Sequence, residues 1–346
     1  MTRSARVFAA VAAMILASVQ WAGAASADDI VDIPVSFAVT NVNHSRVPCG
    51  TDGKNYTLTG HLTGPASKLS GASTTGTLYQ HGLEVGEWFW RMPVIGDGYS
   101  RTMADLGHVS VTVDRLGYNT SGHANGLKTC VGGHADIAHQ VIQQLRAGTY
   151  SGSIHPQFTK VGIAGHSLGG AITEVEAASF QDVDAAAVLS YADLAPTPSV
   201  LVGSLSWGPK CTLGGVQSDG VPGFAYLTRN VADYQKNFLK NTPAAALPAA
   251  TASRELNPCG DFISILSAIP LDTVLITKIK VPVLVMSGTK DLVFDPARVK
   301  LQSALFRGSP KVTTKIVTGA THGITLEPTK VDIVANLDAW LTENGL

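Results

Sequence analysis

The sequence lacks the patterns that mark several common kinds of site. It contains neither an H-E-x-x-H motif nor a paired C-x-x-C motif, so we expect no metal and no other cofactor. It also lacks an excess of positive charge, since 25 lysines and arginines stand against 26 acidic residues. Polyanionic partners select a strongly basic surface. We therefore expect no nucleic-acid binding and no attraction to an anionic membrane surface.

The apolar stretch near the N-terminus is too short for a membrane span. It runs from Val7 to Val19 behind two arginines, and small residues follow at Ala25-Ser26-Ala27. This order is typical of a secretory signal peptide with its cleavage site. We expect residues 1–27 to be removed, which leaves residues 28–346 with 23 basic and 26 acidic side chains and a formal charge of −3. The mature protein is then secreted or periplasmic, without a stable membrane anchor.

Cysteine is scarce, but its number is even. The four residues are Cys49, Cys130, Cys211 and Cys259. An exported chain folds under oxidising conditions, in which such a set forms disulfides. Of the three possible pairings we favour Cys211 with Cys259, because both lie in one segment, which leaves Cys49 with Cys130. Free buried thiols are the alternative.

The most informative stretch that is present runs from Val161 to Ala171. An apolar, strand-like segment ends there and a helix-like segment begins, with Ser167 between Gly165 and Gly169. A sharp strand-to-helix turn exposes a serine hydroxyl to a base, and glycines let the backbone fold that tightly. The turn also places the amide N–H of Leu168 at a helix N-terminus, where it can stabilise an oxyanion. The pentapeptide alone also suits a structural turn, so its meaning depends on a partner acid and histidine.

A candidate acid and a candidate base follow, each just past a predicted strand. The apolar, mostly β-branched run Val281–Met286 is typical of a buried strand, and Asp291 lies in the loop after it. The run Lys311–Val317 alternates as a strand, and His322 lies in the loop that follows.

Two other aspartates compete with Asp291. Asp193 follows the predicted strand Ala185–Tyr191 and is the more serious rival. Asp295 stands directly before Pro296, a position that suits a helix N-cap better than catalysis.

The order serine, acid, histidine, each behind a strand, resembles the α/β-hydrolase family over nearly all of the chain after residue 60. The resemblance implies an α/β fold with a mostly parallel central sheet flanked by helices. It also implies that Ser167 is the nucleophile, Asp291 the acid and His322 the base.

The oxyanion hole needs a second donor beside Leu168. His81-Gly82 closes a predicted strand and resembles the loop that supplies this donor in the family. The resemblance assigns the amide of Leu83, or that of Glu84 if the loop is shifted by one residue.

Two segments depart from the strand–helix rhythm of one α/β domain over residues 28–346. Residues 30–62 alternate as antiparallel strands and are expected to form an N-terminal extension. Residues 195–280 are rich in proline, glycine and alanine, and in the family such a segment forms a cap or lid before the acid-bearing strand. The aromatic run Trp88-Phe89-Trp90, just past the oxyanion loop, either lines an apolar substrate wall or packs under the cap.

The resemblance implies an exported serine esterase or lipase that acts on a small-molecule or lipid-like carboxylic ester through an acyl-enzyme. A serine nucleophile disfavours dehalogenases and epoxide hydrolases, which use a carboxylate. Acyl transfer and amide or lactone hydrolysis stay open as alternatives on the same triad. An inactive, ligand-binding family member is a further alternative, which the complete set of residues disfavours. The sequence specifies neither the acyl chain length nor the oligomeric state.

Overall fold

The computed structural model describes residues 28–194, 196–198 and 207–346, so the predicted signal peptide lies outside the described residues. The strands are β1 (Ile30–Thr40), β2 (Asn55–Pro65), β3 (Ser73–Gln80), β4 (Ser110–Val113), β5 (Gln157–His166), β6 (Ala185–Leu189), β7 (Val216–Ser218), β8 (Val221–Ala225), β9 (Asn257–Pro258), β10 (Val283–Gly288) and β11 (Val312–Val317). The α-helices are α1 (Ala66–Leu69), α2 (Trp88–Arg91), α3 (Tyr99–Asp105), α4 (Val131–Ala147), α5 (Leu168–Ser179), α6 (Trp207–Thr212), α7 (Val231–Phe238), α8 (Leu247–Ala252), α9 (Cys259–Leu275), α10 (Pro296–Ser303) and α11 (Lys330–Asn344). Single 3₁₀ turns lie at Gly126–Lys128 and Ile276–Lys278.

Eight strands form the central sheet, in the order β1-β2-β4-β3-β5-β6-β10-β11. Strand β2 is antiparallel to both of its neighbours, β1 and β4. Each other neighbouring pair is parallel. This arrangement confirms the predicted α/β class with a mostly parallel sheet.

Strands β6 and β10, in the parallel part of the sheet, are buried along their whole length because both faces of the sheet are covered there. In β10, Val283 and Val285 join one hydrophobic core, whereas Leu284 and Met286 join a second core on the opposite face. Helices α4 and α5 pack with the first core, and α11 packs with the second. A continuous apolar run therefore predicts a central strand here, while alternation of polar and apolar residues predicts the half-exposed β1.

The segment between β6 and β10 builds its own small layer. Strands β7, β8 and β9 form an antiparallel sheet. Along the chain, helix α6 precedes these strands, α7 and α8 lie between β8 and β9, and α9 follows β9. A disulfide joins Cys211 of α6 to Cys259 of α9, and a second joins Cys49 to Cys130. The structure thus forms both of the pairs that the sequence favoured.

No single helix among the described residues is long and apolar enough to cross a membrane. The two pieces Cys259–Ile265 and Ser267–Lys278 reach that length and apolarity only when taken together, and they are bent by 58° relative to each other.

The topology brings the predicted site residues to one edge of the sheet. Strands β3, β5, β10 and β11 are parallel, so the loops after their carboxyl ends lie along the same edge. Those loops carry His81-Gly82, Ser167, Asp291 and His322.

Candidate active site

Ser167 lies in a strained turn between β5 and α5. Its backbone has φ 55° and ψ −123°, a region in which a non-glycine residue costs about 1–3 kcal/mol. The turn depends on its glycines: a Cβ on Gly165 would lie 1.8 Å from the carbonyl oxygen of Gly169. A Cβ on Gly169 would lie 2.2 Å from that of Gln80. The two glycines therefore keep Ser167 in its strained backbone conformation at the start of α5. The strain is relieved only if the whole turn changes conformation.

His322 and Asp291 are hydrogen-bonded to each other. Nδ1 of His322 lies 2.9 Å from Oδ2 of Asp291, and both side chains are fully buried. The other carboxylate oxygen, Oδ1, accepts the amide N–H groups of Val293 at 2.7 Å and Phe294 at 3.1 Å. With its proton on Nδ1, a neutral imidazole presents Nε2 as an acceptor. Nε2 of His322 has no hydrogen-bond partner among the described residues.

The neighbour of Ser167 fixes the loop that carries His322. Nε2 of His166 lies 2.8 Å from the main-chain oxygen of His322, and the two rings are 4.7 Å apart. Burial, together with the adjacent His322, holds the pKa of His166 well below its usual value, so His166 is neutral and Nε2–H donates. Glu327 also fixes this loop, because its carboxylate accepts a hydrogen bond from the amide N–H of Thr321 at 2.7 Å.

The loop after β3 lies against the serine turn. A Cβ on Gly82 would lie 2.8 Å from Cβ of Ser167, so only glycine permits this approach. The amide of Glu84 already donates to Oδ1 of Asn257 at 2.6 Å, which argues against the shifted alternative. Within the described ranges, the amides of Leu83 and Leu168 donate no hydrogen bond.

A buried arginine organises the same loop. Nε of Arg115 donates to the carbonyl oxygen of His81 and Nη2 to that of Gly82, each at 3.1 Å. The amide N–H of Arg115 donates to Nε2 of His81 at 3.0 Å, and Nη1 pairs with the buried Asp261 at 3.1 Å. Asp261 also binds His134. Burial raises the pKa of Asp261, but His134 and Arg115 more than offset this and lower it to about 2. Three N–H donors of Arg115 thus fix the direction of this loop, and the fourth, Nη1, anchors the guanidinium group to Asp261.

The two rival aspartates lie in other environments. Asp193 accepts the hydroxyl of Tyr191 at 2.7 Å, and burial raises its pKa to about 7, which suits a permanently charged partner of histidine poorly. Asp295 accepts the amide of Ala297 at 2.9 Å as the N-cap of α10, as its sequence position predicts. The structure brings Asp291, and neither of these two, into contact with His322.

The aromatic run after the oxyanion loop packs inward. Trp90 is fully buried against Tyr79 and Tyr99, with ring centroids 5.0 and 5.4 Å away. Phe89 stacks on His166 at 4.3 Å. Of the two interpretations, the structure supports packing rather than a substrate wall.

The segment between β6 and β10 covers the site from outside. The ring of Phe238 lies 5.1 Å from that of His322, and Ser167 is only 6% exposed. The same segment also binds Glu84, which follows the His81-Gly82 loop. The carboxylate of Glu84 accepts hydrogen bonds from the amide and hydroxyl of Thr228 at 2.9 and 2.7 Å, and it forms an ion pair with Arg254 at 2.9 Å.

Sequence reasoning missed several of these supporting groups. Glu84 was considered only for its amide, and Arg115 and Asp261 were given no role. Their partners are distant in the chain, so no local motif marks them. The one available signal was His166, which stands inside the serine motif.

Comparisons with known proteins agree with this fold. A sequence profile of the alpha/beta hydrolase family matches residues 76–332. No curated protein sequence matches the chain significantly.

Three solved structures are similar in fold. A thermophilic esterase from Thermogutta terrifontis is 14% identical with a TM-score of 0.59, over 89% of this chain and 98% of its own. A putative aryl esterase from Burkholderia cenocepacia is 16% identical with a TM-score of 0.58, over 89% and 98%. A monoacylglycerol lipase from Paleococcus ferrophilus is 18% identical with a TM-score of 0.56, over 78% and 96%. At such identities the likeness concerns the fold alone.

Proposed function

Because the chain belongs to the alpha/beta hydrolase family, we propose that it is an exported serine hydrolase that cleaves carboxylic esters. The observation that carries the proposal is the buried hydrogen bond between His322 and Asp291, held beside the strained turn of Ser167. Ester substrates are chosen because the compared structures are an esterase, an aryl esterase and a monoacylglycerol lipase.

Acylation uses the free nitrogen of the histidine. Nε2 of His322 takes the proton of the Ser167 hydroxyl while Oγ attacks the ester carbonyl carbon. Asp291 keeps the second proton on Nδ1 and stabilises the imidazolium that forms. The C–O bond of the tetrahedral intermediate then breaks, and Nε2–H protonates the departing alcohol. Water, deprotonated by the same nitrogen, attacks the acyl carbon. The bond from that carbon to Oγ of Ser167 then breaks, Nε2–H returns its proton to Oγ, and the acid leaves.

The negative charge of both tetrahedral intermediates falls on the former carbonyl oxygen. The amide N–H groups of Leu83 and Leu168 are the proposed donors, because Gly82 brings the first loop against Ser167 and Leu168 begins α5. One such donor contributes about 3 kcal/mol to the transition state.

The segment between β6 and β10 is the proposed lid. It closes over a buried histidine through Phe238 and binds the oxyanion loop through Thr228 and Arg254. Opening is required because Ser167 is only 6% exposed, and closure excludes water from the acyl-enzyme until a leaving group has departed.

Export is proposed from two separate features. Residues 1–27 have the composition of a signal peptide, and both cysteine pairs form disulfides, which persist in an oxidising compartment.

Hydrolysis of p-nitrophenyl esters from acetate to palmitate tests the reaction. We expect turnover in the exported protein, loss of essentially all of it in Ser167→Ala, and retention in the matched control Ser303→Ala, whose hydroxyl only bonds within α10. Absence of Ser167-dependent turnover over the whole series contradicts ester hydrolysis.

A further inference from the structure

Three carboxylates from distant parts of the chain meet in the interior. Glu174 lies on α5, Asp193 in the loop after β6, and Asp272 on α9. One oxygen of each lies within 4.8 Å of an oxygen of the other two. The side chains are 0, 3 and 1% exposed, so water does not screen their mutual repulsion.

No basic side chain of the described residues pairs with this acidic cluster. Gln302 donates to Oε1 of Glu174 at 2.8 Å and Tyr191 to Oδ1 of Asp193 at 2.7 Å. Oε2 of Glu174, Oδ2 of Asp193 and both oxygens of Asp272 have no hydrogen-bond partner among the described residues. Nor does any lysine, arginine or histidine in the described ranges form an ion pair with the three. Burial raises the pKa of all three carboxyl groups, so they hold protons in the free protein, and a bound cation takes the place of those protons.

A neutral ligand group points to the same partner. Gln302 is fully buried and is anchored to the cluster through Nε2, yet its oxygen Oε1 has no partner in the described part of the chain. The site thus combines one carboxamide oxygen with several carboxyl oxygens, none of which accepts a hydrogen bond. Hard cations bind such mixtures of oxygen ligands in proteins.

We propose that Glu174, Asp193, Asp272 and Gln302 form a binding site for a divalent cation of the calcium type. The donor set is all oxygen, with neither histidine nor cysteine, which favours Ca²⁺ over zinc. Ca²⁺ accepts six to eight oxygens, those of water included. The unpartnered carboxylate oxygens and the oxygen of Gln302 supply five of them. No sequence motif marks the site, because its ligands come from four separate elements.

The site joins the lid segment to the catalytic core. Asp272 lies on α9 of the segment between β6 and β10, whereas Glu174 lies on α5, the helix that begins directly after Ser167. Binding therefore pins α9 against α5 and stabilises the folded chain by mass action.

A second group of potential ligands supplies the control. His139, Glu176 and Asp182 also converge, but His139 and Gln143 already bond to Asp182 at 2.7 and 2.5 Å, and the group is partly exposed. Glu176 shares helix α5 with Glu174, so Glu174→Gln and Glu176→Gln form a matched pair.

Calorimetric titration of chelator-stripped protein with CaCl₂, at fixed ionic strength, tests the proposal. We expect one site with a Kd of about 1 mM or tighter, and a Tm that rises by about 2–4 °C at ten times the Kd. Affinity falls at least about tenfold in Glu174→Gln and stays unchanged in Glu176→Gln. The proposal is overturned if about 10 mM CaCl₂, ten times the expected upper limit of the Kd, gives neither a heat of binding nor a change in Tm. Loss of binding in Glu176→Gln alone also overturns it, because the ion then lies at the control group.

A second measurement serves if Glu174→Gln does not fold. Terbium added to the unmodified protein is expected to emit when the nearby Tyr191 is excited. CaCl₂ is expected to displace the terbium and so to abolish this emission. Absence of displaceable emission, together with a Tm that is the same in CaCl₂ and in chelator, indicates that the three carboxyl groups share protons instead, and contradicts the proposal.

Discussion

The guanidinium group of Arg115 donates to the main-chain oxygen of His81 at 3.1 Å, inside the loop that approaches Ser167. Nη2 holds the next carbonyl, that of Gly82, in the same way, so one guanidinium group fixes two consecutive carbonyls of this loop. In the proposed mechanism this side chain positions the amide of Leu83, the proposed oxyanion donor, without contact with the reacting atoms.

Replacement of Arg115 by lysine keeps a cation for Asp261 but removes the fork that holds both carbonyls. We expect kcat to fall about 10–100-fold with KM nearly unchanged, because an oxyanion donor acts mainly on the transition state. Steady-state kinetics on one p-nitrophenyl ester measures the split. The control is Arg146→Lys, whose side chain binds Asp184 and the carbonyl of Asp182. Equal losses in both variants, or a change confined to KM, refute the positioning role.

Asp291→Asn tests the identity of the triad acid. Asparagine keeps the size of the side chain but no longer holds the proton on Nδ1 of His322, and we expect kcat to fall about 10⁴-fold. Asp193→Asn, at the rival position, is expected to reduce kcat less than about tenfold, because Asp193 bonds to Tyr191. The reverse order of the two effects assigns the acid to Asp193.

Glu84→Gln leaves the charge of Arg254 buried without its partner. Removal of one member of such a pair costs about 3–5 kcal/mol in the free energy of unfolding. Urea denaturation measures this loss, and the additional change Arg254→Met is expected to recover part of it.

The matched control for Glu84 is Asp105→Asn, which breaks the exposed pair Arg101–Asp105 and costs about 0–1 kcal/mol. Similar losses in the two variants mean that the Glu84 pair does not hold the lid segment to the oxyanion loop.

The Cys211–Cys259 disulfide closes a loop of 48 residues at the edge of the lid segment. Replacement of both cysteines by serine removes this constraint from the unfolded chain and lowers stability by about 4 kcal/mol. Limited proteolysis is expected to cut first within residues 207–278. First cleavage elsewhere, at an unchanged rate, contradicts the role of this bridge in the lid.

Much of the fold could be predicted because strong, local signals carry it. The buried strand β10 is an unbroken apolar run, and β1 alternates, so their environments could be read directly. Element ends are less exact: the predicted strand Val281–Met286 is observed as β10 from Val283 to Gly288.

The site divides in the same way. The contact of His322 with Asp291 follows from parallel strands whose ends share one edge of the sheet, and was predicted. The pair Glu84–Arg254 joins residues 170 positions apart. Buried polar groups of this kind have no sequence period, so only the packed structure reveals them.

The central claim is that Ser167 is the nucleophile of a serine hydrolase. Mass spectrometry of the protein after reaction with a p-nitrophenyl phosphonate ester tests it most directly. We expect one adduct per chain, located on the peptide that contains Ser167, absent in Ser167→Ala and formed far more slowly in His322→Ala. No adduct on the intact protein, or an adduct on another residue that persists in Ser167→Ala, contradicts the account.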